Sequence, residues 1–495
     1  MKERVRFAPS PTGPLHIGGL RTALYNYLYT KNKGGVFILR LEDTDRNRLV
    51  ENSELYIQNA LSWAGIIPDE GSSFGGEYGP YRQSERINHY NEKIKILIES
   101  GKAYYAFDSN KKLTELRKKK EERGLIFKYD YSTRDSLDNS LSMDDKSTIE
   151  RIKKEPFVVR LKVDPGETVT EDLLRGWITV DNSVLDDKIL IKTDGFPTYH
   201  FANVVDDHLM EISTVIRGEE WLPSLALHDL IYKAFDWQKP KFIHLPLILK
   251  VTGKGKLSKR DGTKGGFPVF PLKWEKEPGF KEMGFTNIGL INYLALLGWN
   301  PGDDEELFNL RKLIDVFSVE GIQKGGAKFD YEKAKWINQQ HLSKMSFDSF
   351  EKTFPENITA LRNRYPSRCN EIFLLIKERL KLAVDFKEET QFFLKDPSTF
   401  DEKVIRKLQS KNDVKDVLEH IEVVIVKNGL YEIEENLNTL ADNKKINYGI
   451  IMQLLRLSLV GKLSGPDIIK VSLILEKAVT LKRIINLKNH IINNL

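Results

Sequence analysis

The stretch Arg6-Phe7-Ala8-Pro9-Ser10-Pro11-Thr12-Gly13-Pro14-Leu15-His16-Ile17-Gly18-Gly19 constrains this chain more than any other. Val5 to Ala8 reads as a short buried strand. Three prolines and Gly13 keep the next residues extended, because proline fixes its own φ and biases its predecessor away from helix. Leu20, Ala23, Leu24, Tyr27 and Leu28 then recur at helical spacing, so a helix starts at or just after His16. Gly34-Gly35 stops it, and 36–41 is an apolar run of strand length. Such a β-loop-α-β unit lays free backbone N–H groups and the positive end of a helix at the carboxyl edge of a parallel sheet, where ligands bind. His16, at the mouth, can give a ring N–H to a phosphate. Gly18 and Gly19 carry no Cβ, so a nucleotide can lie close against the backbone. For four residues alone, a proline-rich turn with a capping histidine would serve as well; the longer string argues against it.

A second polar loop follows His244-Leu245-Pro246-Leu247-Ile248-Leu249, which reads as a buried strand. Residues 250–262, Lys-Val-Thr-Gly-Lys-Gly-Lys-Leu-Ser-Lys-Arg-Asp-Gly, hold three glycines among five cations, the composition of a mobile, strongly positive loop. The opening string, together with Arg40-Leu41-Glu42-Asp43-Thr44-Asp45-Arg46, closely resembles the bacterial-type glutamyl-tRNA synthetases, a branch of the class I aminoacyl-tRNA synthetases. In that class a His-Ile-Gly-His motif and a Lys-Met-Ser-Lys-Ser motif flank ATP. Here the first is His16-Ile17-Gly18-Gly19, so a phosphate contact from a second histidine is absent. The second is Lys256-Leu257-Ser258-Lys259-Arg260.

The resemblance implies an α/β protein: a Rossmann-type, doubly wound parallel sheet split by an α/β connective insertion and followed by an all-α anticodon-binding region. It divides the chain into a first catalytic half (1–107), the insertion that grips the tRNA acceptor end (108–193), a second catalytic half (194–265), a stem-contact helical region (266–340) and the anticodon-binding helices (341–495). Within these, the spacing predicts helices over 51–65, from about 82 to 101, over 111–123 and repeatedly beyond 340, and strands at 104–107, 157–163 and 177–180. The segment 129–147 reads as polar connection. The segment 264–281, with Phe267, Phe270 and Trp274 among prolines and lysines, is expected as a surface loop packed on its own aromatics.

By the same resemblance, His16, Lys256 and Lys259 are the catalytic candidates. Arg6, Ser10, Glu42, Tyr199, Asn203 and Arg217 would surround glutamate, the two arginines on its carboxylates and Glu42 on its ammonium. His16, Gly18, Gly19 and Lys259 would serve the ATP phosphates, while Glu220, Trp221 and Ile248 would flank the adenosine. The implied reaction is ATP-dependent attachment of L-glutamate to tRNA(Glu) through a glutamyl-adenylate, with Mg2+ arriving on ATP. Whether tRNA(Gln) is charged as well turns on how the C-terminal helices treat the third anticodon base. Glutaminyl-tRNA synthetases share the architecture but normally keep the second histidine. A glutamyl-queuosine enzyme would match only the N-terminal part, and a silent RNA-binding paralogue would not need both ATP motifs.

Composition narrows the rest. The 495 residues suffice for several cores, and 40% hydrophobic with 30% charged residues is a soluble, globular balance. A net charge of +5 permits a polyanionic partner without requiring one. The single cysteine, Cys369, excludes an internal disulfide and, with none before it, the cysteine zinc site that some relatives carry in the insertion. His200 and His208, two helical turns apart, make a poor metal pair, and no metal site is expected. Met1 runs straight into charged residues, and no apolar run approaches membrane-spanning length, so a cytoplasmic monomer with no membrane contact is expected.

Overall fold

The computed structural model describes residues 2–252, 255–410 and 413–494, so Gly253 and Lys254 of the cationic loop lie outside it. The chain divides into two compact units, Met1–Glu282 with Leu290–Tyr331, and Met283–Gly289 with Glu332–Leu495. The first unit opens β1 (Arg4–Phe7), α1 (Ile17–Asn32), β2 (Val36–Leu39), α2 (Ser53–Trp63), β3 (Glu70–Gly71) and α3 (Ile87–Glu99). The insertion follows as β4 (Ala103–Ala106), α4 (Asn110–Glu121), α5 (Asp145–Lys154), β5 (Val158–Leu161), β6 (Glu167–Asp172), β7 (Gly176–Asp181) and β8 (Ile189–Ile191). The chain then returns through α6 (Tyr199–Leu209), β9 (Thr214–Gly218), α7 (Leu225–Ala234), β10 (Lys241–Leu245), β11 (Ile248–Leu249) and α8 (Lys259–Gly265).

Five strands make one sheet in the order β10-β9-β1-β2-β3, every pair parallel. A sheet covered on both faces needs near-continuous apolar strands, and Val5, Phe37, Ile38, Leu39, Val215 and Ile243 are fully enclosed. The predicted strand 244–249 is two strands. Pro246 has no N–H to continue the ladder, so β10 ends at Leu245. Ile248 and Leu249 pair instead with Ala327–Lys328, in parallel. In α2, Ile57, Ala60 and Leu61 face the core while Leu55 is exposed.

The insertion is built differently. β4 pairs antiparallel with β5, and β5 with β8, while β6 and β7 form a hairpin. The polar connection runs into α5, whose first turn is capped by the Asp144 carboxylate on the Ser147 N–H. Tyr104, Leu113, Tyr129 and Leu137 form a small core. Beside it the buried Asp187 carboxylate accepts from the Tyr104 hydroxyl at 2.6 Å, the Val163 N–H at 2.9 Å and Arg134 Nη1 at 3.1 Å.

The segment 264–281 does not close on its own aromatics. The Val269 carbonyl accepts the Ile17 N–H at 2.9 Å, Phe270 meets the His16 ring edge-on at 6.2 Å, and Trp274 meets Tyr56 at 5.1 Å. The first turn of α1 has N–H groups without intrahelical acceptors, and this segment supplies one while burying Val269 and Phe270.

The second unit is helical. Val414–Asn428 buries Val417, Leu418, Ile421 and Ile425 at helical spacing, and Tyr448–Val460 is buried from Leu454 onward except for Arg456. The last helix, Ile468–Asn494, is broken at Glu476, where φ is 66°. Asn338, fully buried, accepts from the Thr286 N–H at 2.8 Å and donates to the Lys381 carbonyl at 2.8 Å. Cys369 is 2% exposed, its thiol donating to the Tyr365 carbonyl at 3.1 Å. Among the described residues no helix is long and apolar enough to cross a membrane.

Candidate active site

The strand order fixes where a site can form. From β1 the chain crosses to β2 on one side, while β9 and β10 lie on the other, so the loops beyond β1 and β9 part at the carboxyl edge. A cleft of about 970 Å³ opens there, lined by residues beyond the ends of β1, β2, β9 and β10 and by the start of α1. Arg6, Ser10, His16, Gly18 and Gly19 reach it from the first motif. Glu42, Tyr199, Asn203 and Arg217 form its other end, and Glu220, Trp221, Ile248 and Lys256 line the rim.

At the helix end, His16 is the N-cap of α1, and its Nδ1 accepts the Gly18 N–H at 3.2 Å. A ring nitrogen that accepts carries no proton, so the neutral ring is protonated at Nε2. That Nε2 is buried and has no hydrogen-bond partner. Burial, with help from nearby Lys256, lowers the His16 pKa to about 4, so at neutral pH the ring is uncharged and its Nε2–H is a donor still without an acceptor, on a residue that lines the cleft. Lys256 reaches Glu220 Oε1 at 2.8 Å across the rim. Lys259 is the predicted residue that does not line the cleft. It begins α8, which Ser258 and Asp261 close with a capping box, and its ammonium sits 5.6 Å from the Phe270 ring and 4.0 Å from Glu277.

At the other end lie three arginines, two sharing a carboxylate and the third without one in contact among the described residues. Arg6 gives Nε and Nη2 to Asp207 at 2.9 and 3.2 Å, and Arg40 gives Nη1 to the same carboxylate at 2.7 Å. Burial opposes ionisation of Asp207, but the two guanidinium groups outweigh it and hold its pKa below the usual range. Glu42 Oε1 accepts from Arg40 Nη2 at 3.1 Å and Asn203 Nδ2 at 3.0 Å. Burial nevertheless pushes its pKa up, against the pull of Arg40 and Arg6.

Arg217 is 5% exposed and has no carboxylate partner among the described residues. Its Nε donates to His244 Nε2 at 3.0 Å, Nη1 to the Tyr199 hydroxyl at 3.2 Å and towards His228 Nδ1 at 3.4 Å, and Nη2 to the Trp221 carbonyl at 3.4 Å. Every one of these acceptors is neutral. Burial drives the His200 pKa to about 4 and lowers those of His228 and His244, and Arg217 adds to each effect. A buried cation whose direct partners supply hydrogen bonds but no negative charge is poised for an anionic ligand. Tyr199 stacks on Trp221 with ring centroids 4.2 Å apart, walling this end.

The sequence alone assigns no site role to Asp207, Arg40, His228 or His244. For Asp207 a signal existed: Asp206 and Asp207 directly follow Val204-Val205 in α6, and buried carboxylates there require cations. His200 pairs with His228 at 3.1 Å, while His208 stacks on Trp237. Among the described residues no group of three or more histidine, cysteine, aspartate or glutamate side chains could hold a metal ion.

Residues 2–336 match the family "tRNA synthetases class I (E and Q), catalytic domain", and residues 339–487 match "Anticodon binding domain". The glutamate–tRNA ligase of Christiangramia forsetii is 48% identical over 98% of each chain. That of Flavobacterium johnsoniae is 47% identical over 97% of this chain and 98% of its own. Among solved structures, a glutamate tRNA ligase from Elizabethkingia meningosepticum in complex with its amino acid superimposes with a TM-score of 0.93 at 44% identity, covering 99% of both chains. The glutamate-tRNA synthetase of Elizabethkingia anophelis gives 0.91 at 44% identity, covering 99% of this chain and all of its own.

Proposed function

The chain belongs to the class I tRNA synthetases and, within them, to the glutamate–tRNA ligases; from that membership we propose that it joins L-glutamate to the 3′ end of tRNA(Glu), with ATP as co-substrate. A carboxylate oxygen of glutamate attacks the α-phosphorus of ATP, and the bond to pyrophosphate breaks. A terminal ribose hydroxyl of tRNA then takes the glutamyl group and releases AMP. Neither step needs a protein nucleophile, so the residues act by positioning and by meeting charge on the phosphates.

His16 Nε2 and the start of α1 are the donors for phosphate oxygens, with Gly18 and Gly19 giving backbone access. Lys256 and Lys259 neutralise the phosphates as pyrophosphate leaves; Lys259 first leaves Phe270 and Glu277. Glu220, Trp221 and Ile248 flank the adenosine, and Mg2+ enters as the counter-ion of ATP. Arg217 takes a glutamate carboxylate, Arg6 offers its remaining Nη1, Glu42 takes the ammonium, and Ser10, Tyr199 and Asn203 complete the pocket. Residues 108–193 hold the tRNA acceptor end, 266–340 the stem and 341–495 the anticodon. The enzyme works as a cytoplasmic monomer without membrane contact.

The neutrality of every group in direct contact with Arg217 carries this reading. A neutral amide cannot satisfy a buried guanidinium as a carboxylate does, which selects glutamate over glutamine without a separate editing site. Aminoacylation of purified tRNA(Glu) and tRNA(Gln) by Arg217→Gln tests it. The expected result is a fall on the order of 10²–10³ in kcat/KM for glutamate with the KM for ATP nearly unchanged. Wild-type glutamate kinetics in this variant would remove Arg217 from the pocket.

A further inference from the structure

Arg217 does not hold itself in place, and its support comes from the insertion. Asp172, the last residue of β6, is fully buried. Its Oδ2 accepts the His244 backbone N–H at 2.9 Å and faces His244 Nδ1 at 2.8 Å. Its Oδ1 accepts the Leu174 and Arg175 N–H groups at 3.0 and 2.9 Å. His244, also fully buried, presents Nε2 to Arg217 Nε at 3.0 Å. An arginine can only donate, so this Nε2 must be the acceptor and the proton must be on Nδ1, facing the carboxylate. Both ends of the imidazole therefore demand the same tautomer.

The hairpin that supplies Asp172 is fastened to the catalytic fold. The Leu173 N–H donates to the Phe242 carbonyl at 2.8 Å, and Lys239 Nζ donates to Thr170 Oγ1 at 3.1 Å. Arg175 pairs with Glu219, whose other oxygen accepts the Leu247 N–H at 3.0 Å. Along β6 the exposed residues are Glu167, Val169 and Glu171, while Thr168, Thr170 and Asp172 point inward. A strand that buries its polar face and exposes its valine is arranged for hydrogen bonding, not for apolar packing.

We propose that Asp172 and His244 are positioning residues for glutamate: Asp172 fixes the His244 tautomer, and His244 holds Arg217 by Nε so that its fork of Nη atoms is aimed at the substrate carboxylate. The inference rests on the assignment of Arg217 to the glutamate pocket. Both oxygens of Asp172 are engaged, each by two donors. An asparagine must turn its NH2 on one of those pairs, and against His244 it forces the proton to Nε2, setting N–H against N–H at Arg217.

Steady-state aminoacylation by the full-length enzyme with tRNA(Glu) tests this. Asp172→Asn is expected to raise the KM for glutamate at least tenfold, while kcat at saturating glutamate and the KM for ATP stay within about threefold. Gln can place a carbonyl oxygen where Nε2 accepts; leucine cannot. His244→Gln should therefore keep the glutamate KM within about threefold of wild type, and His244→Leu should raise it as Asp172→Asn does. The His244 pair still decides the matter if Asp172→Asn fails to fold. Equal glutamate KM values in His244→Gln and His244→Leu, or a wild-type value in folded Asp172→Asn, overturn the positioning role. If Arg217→Gln alone raises the glutamate KM, the pocket stands and this inference falls; if Arg217→Gln leaves it unchanged as well, the pocket assignment itself fails.

Discussion

Gly18 and Gly19 are adjacent and small for different reasons. A Cβ on Gly18 would find only His16 Nδ1 within 4 Å, at an ordinary 3.6 Å, whereas one on Gly19 would come within 2.6 Å of Leu15 Cδ1. The first glycine therefore keeps the cleft clear, and the second, which also lines it, leaves room for the Leu15 side chain. Gly18→Ala is expected to melt no lower than wild type, since alanine is the better helix former, yet to raise the KM for ATP several-fold in pyrophosphate exchange run with tRNA present. Gly19→Ala is expected to lose about 1–3 kcal/mol of stability to overpacking against Leu15, read as a lower midpoint in urea. The glycine that replaces the second histidine of the motif thus faces a position already filled by a leucine.

Among the elements, those punctuated by proline and glycine were legible: β1, α1 and β2 follow from spacing and from the breakers between them. β6 was not, because its alternation runs opposite to its burial, with threonines and an aspartate inward. Its partner Lys239 and Asp172's partner His244 lie about 70 residues further on, beyond the reach of any local pattern. The same distance hid the neutral wall around Arg217, which draws on α6, α7 and β10, although the arginine itself stood out at a strand end. In the helical unit, one side chain carries several connections: Asn338 ties the segment holding Thr286 to Lys381. Asn338→Ala strands buried partners on both sides and is expected to destabilise that unit by on the order of 3 kcal/mol, measured by chemical denaturation followed by circular dichroism.

For the whole molecule, acid is the revealing stress. His16, His200 and His341 each have a pKa near 4, burial being the main cause, against an ordinary value of 6.5. Between those limits the unfolded chain binds protons that the folded one refuses, so stability rises with pH across the window and falls as it is lowered. The first two histidines belong to the sheet-containing unit and the third to the helical one. Urea midpoints of both units are therefore expected to be lower at pH 5 than at pH 7.5, before carboxylates such as Asp207 begin to lose their ion pairs. A midpoint unchanged over that range would show that these rings titrate normally in the fold.

Cys369 gives this chain an internal clock. The only thiol among 495 residues is shut inside the helical unit and engaged with a carbonyl, so a thiol-directed dye can react only when that packing opens. The speed of labelling counts those openings, and events confined to the nucleotide-binding half leave the signal silent.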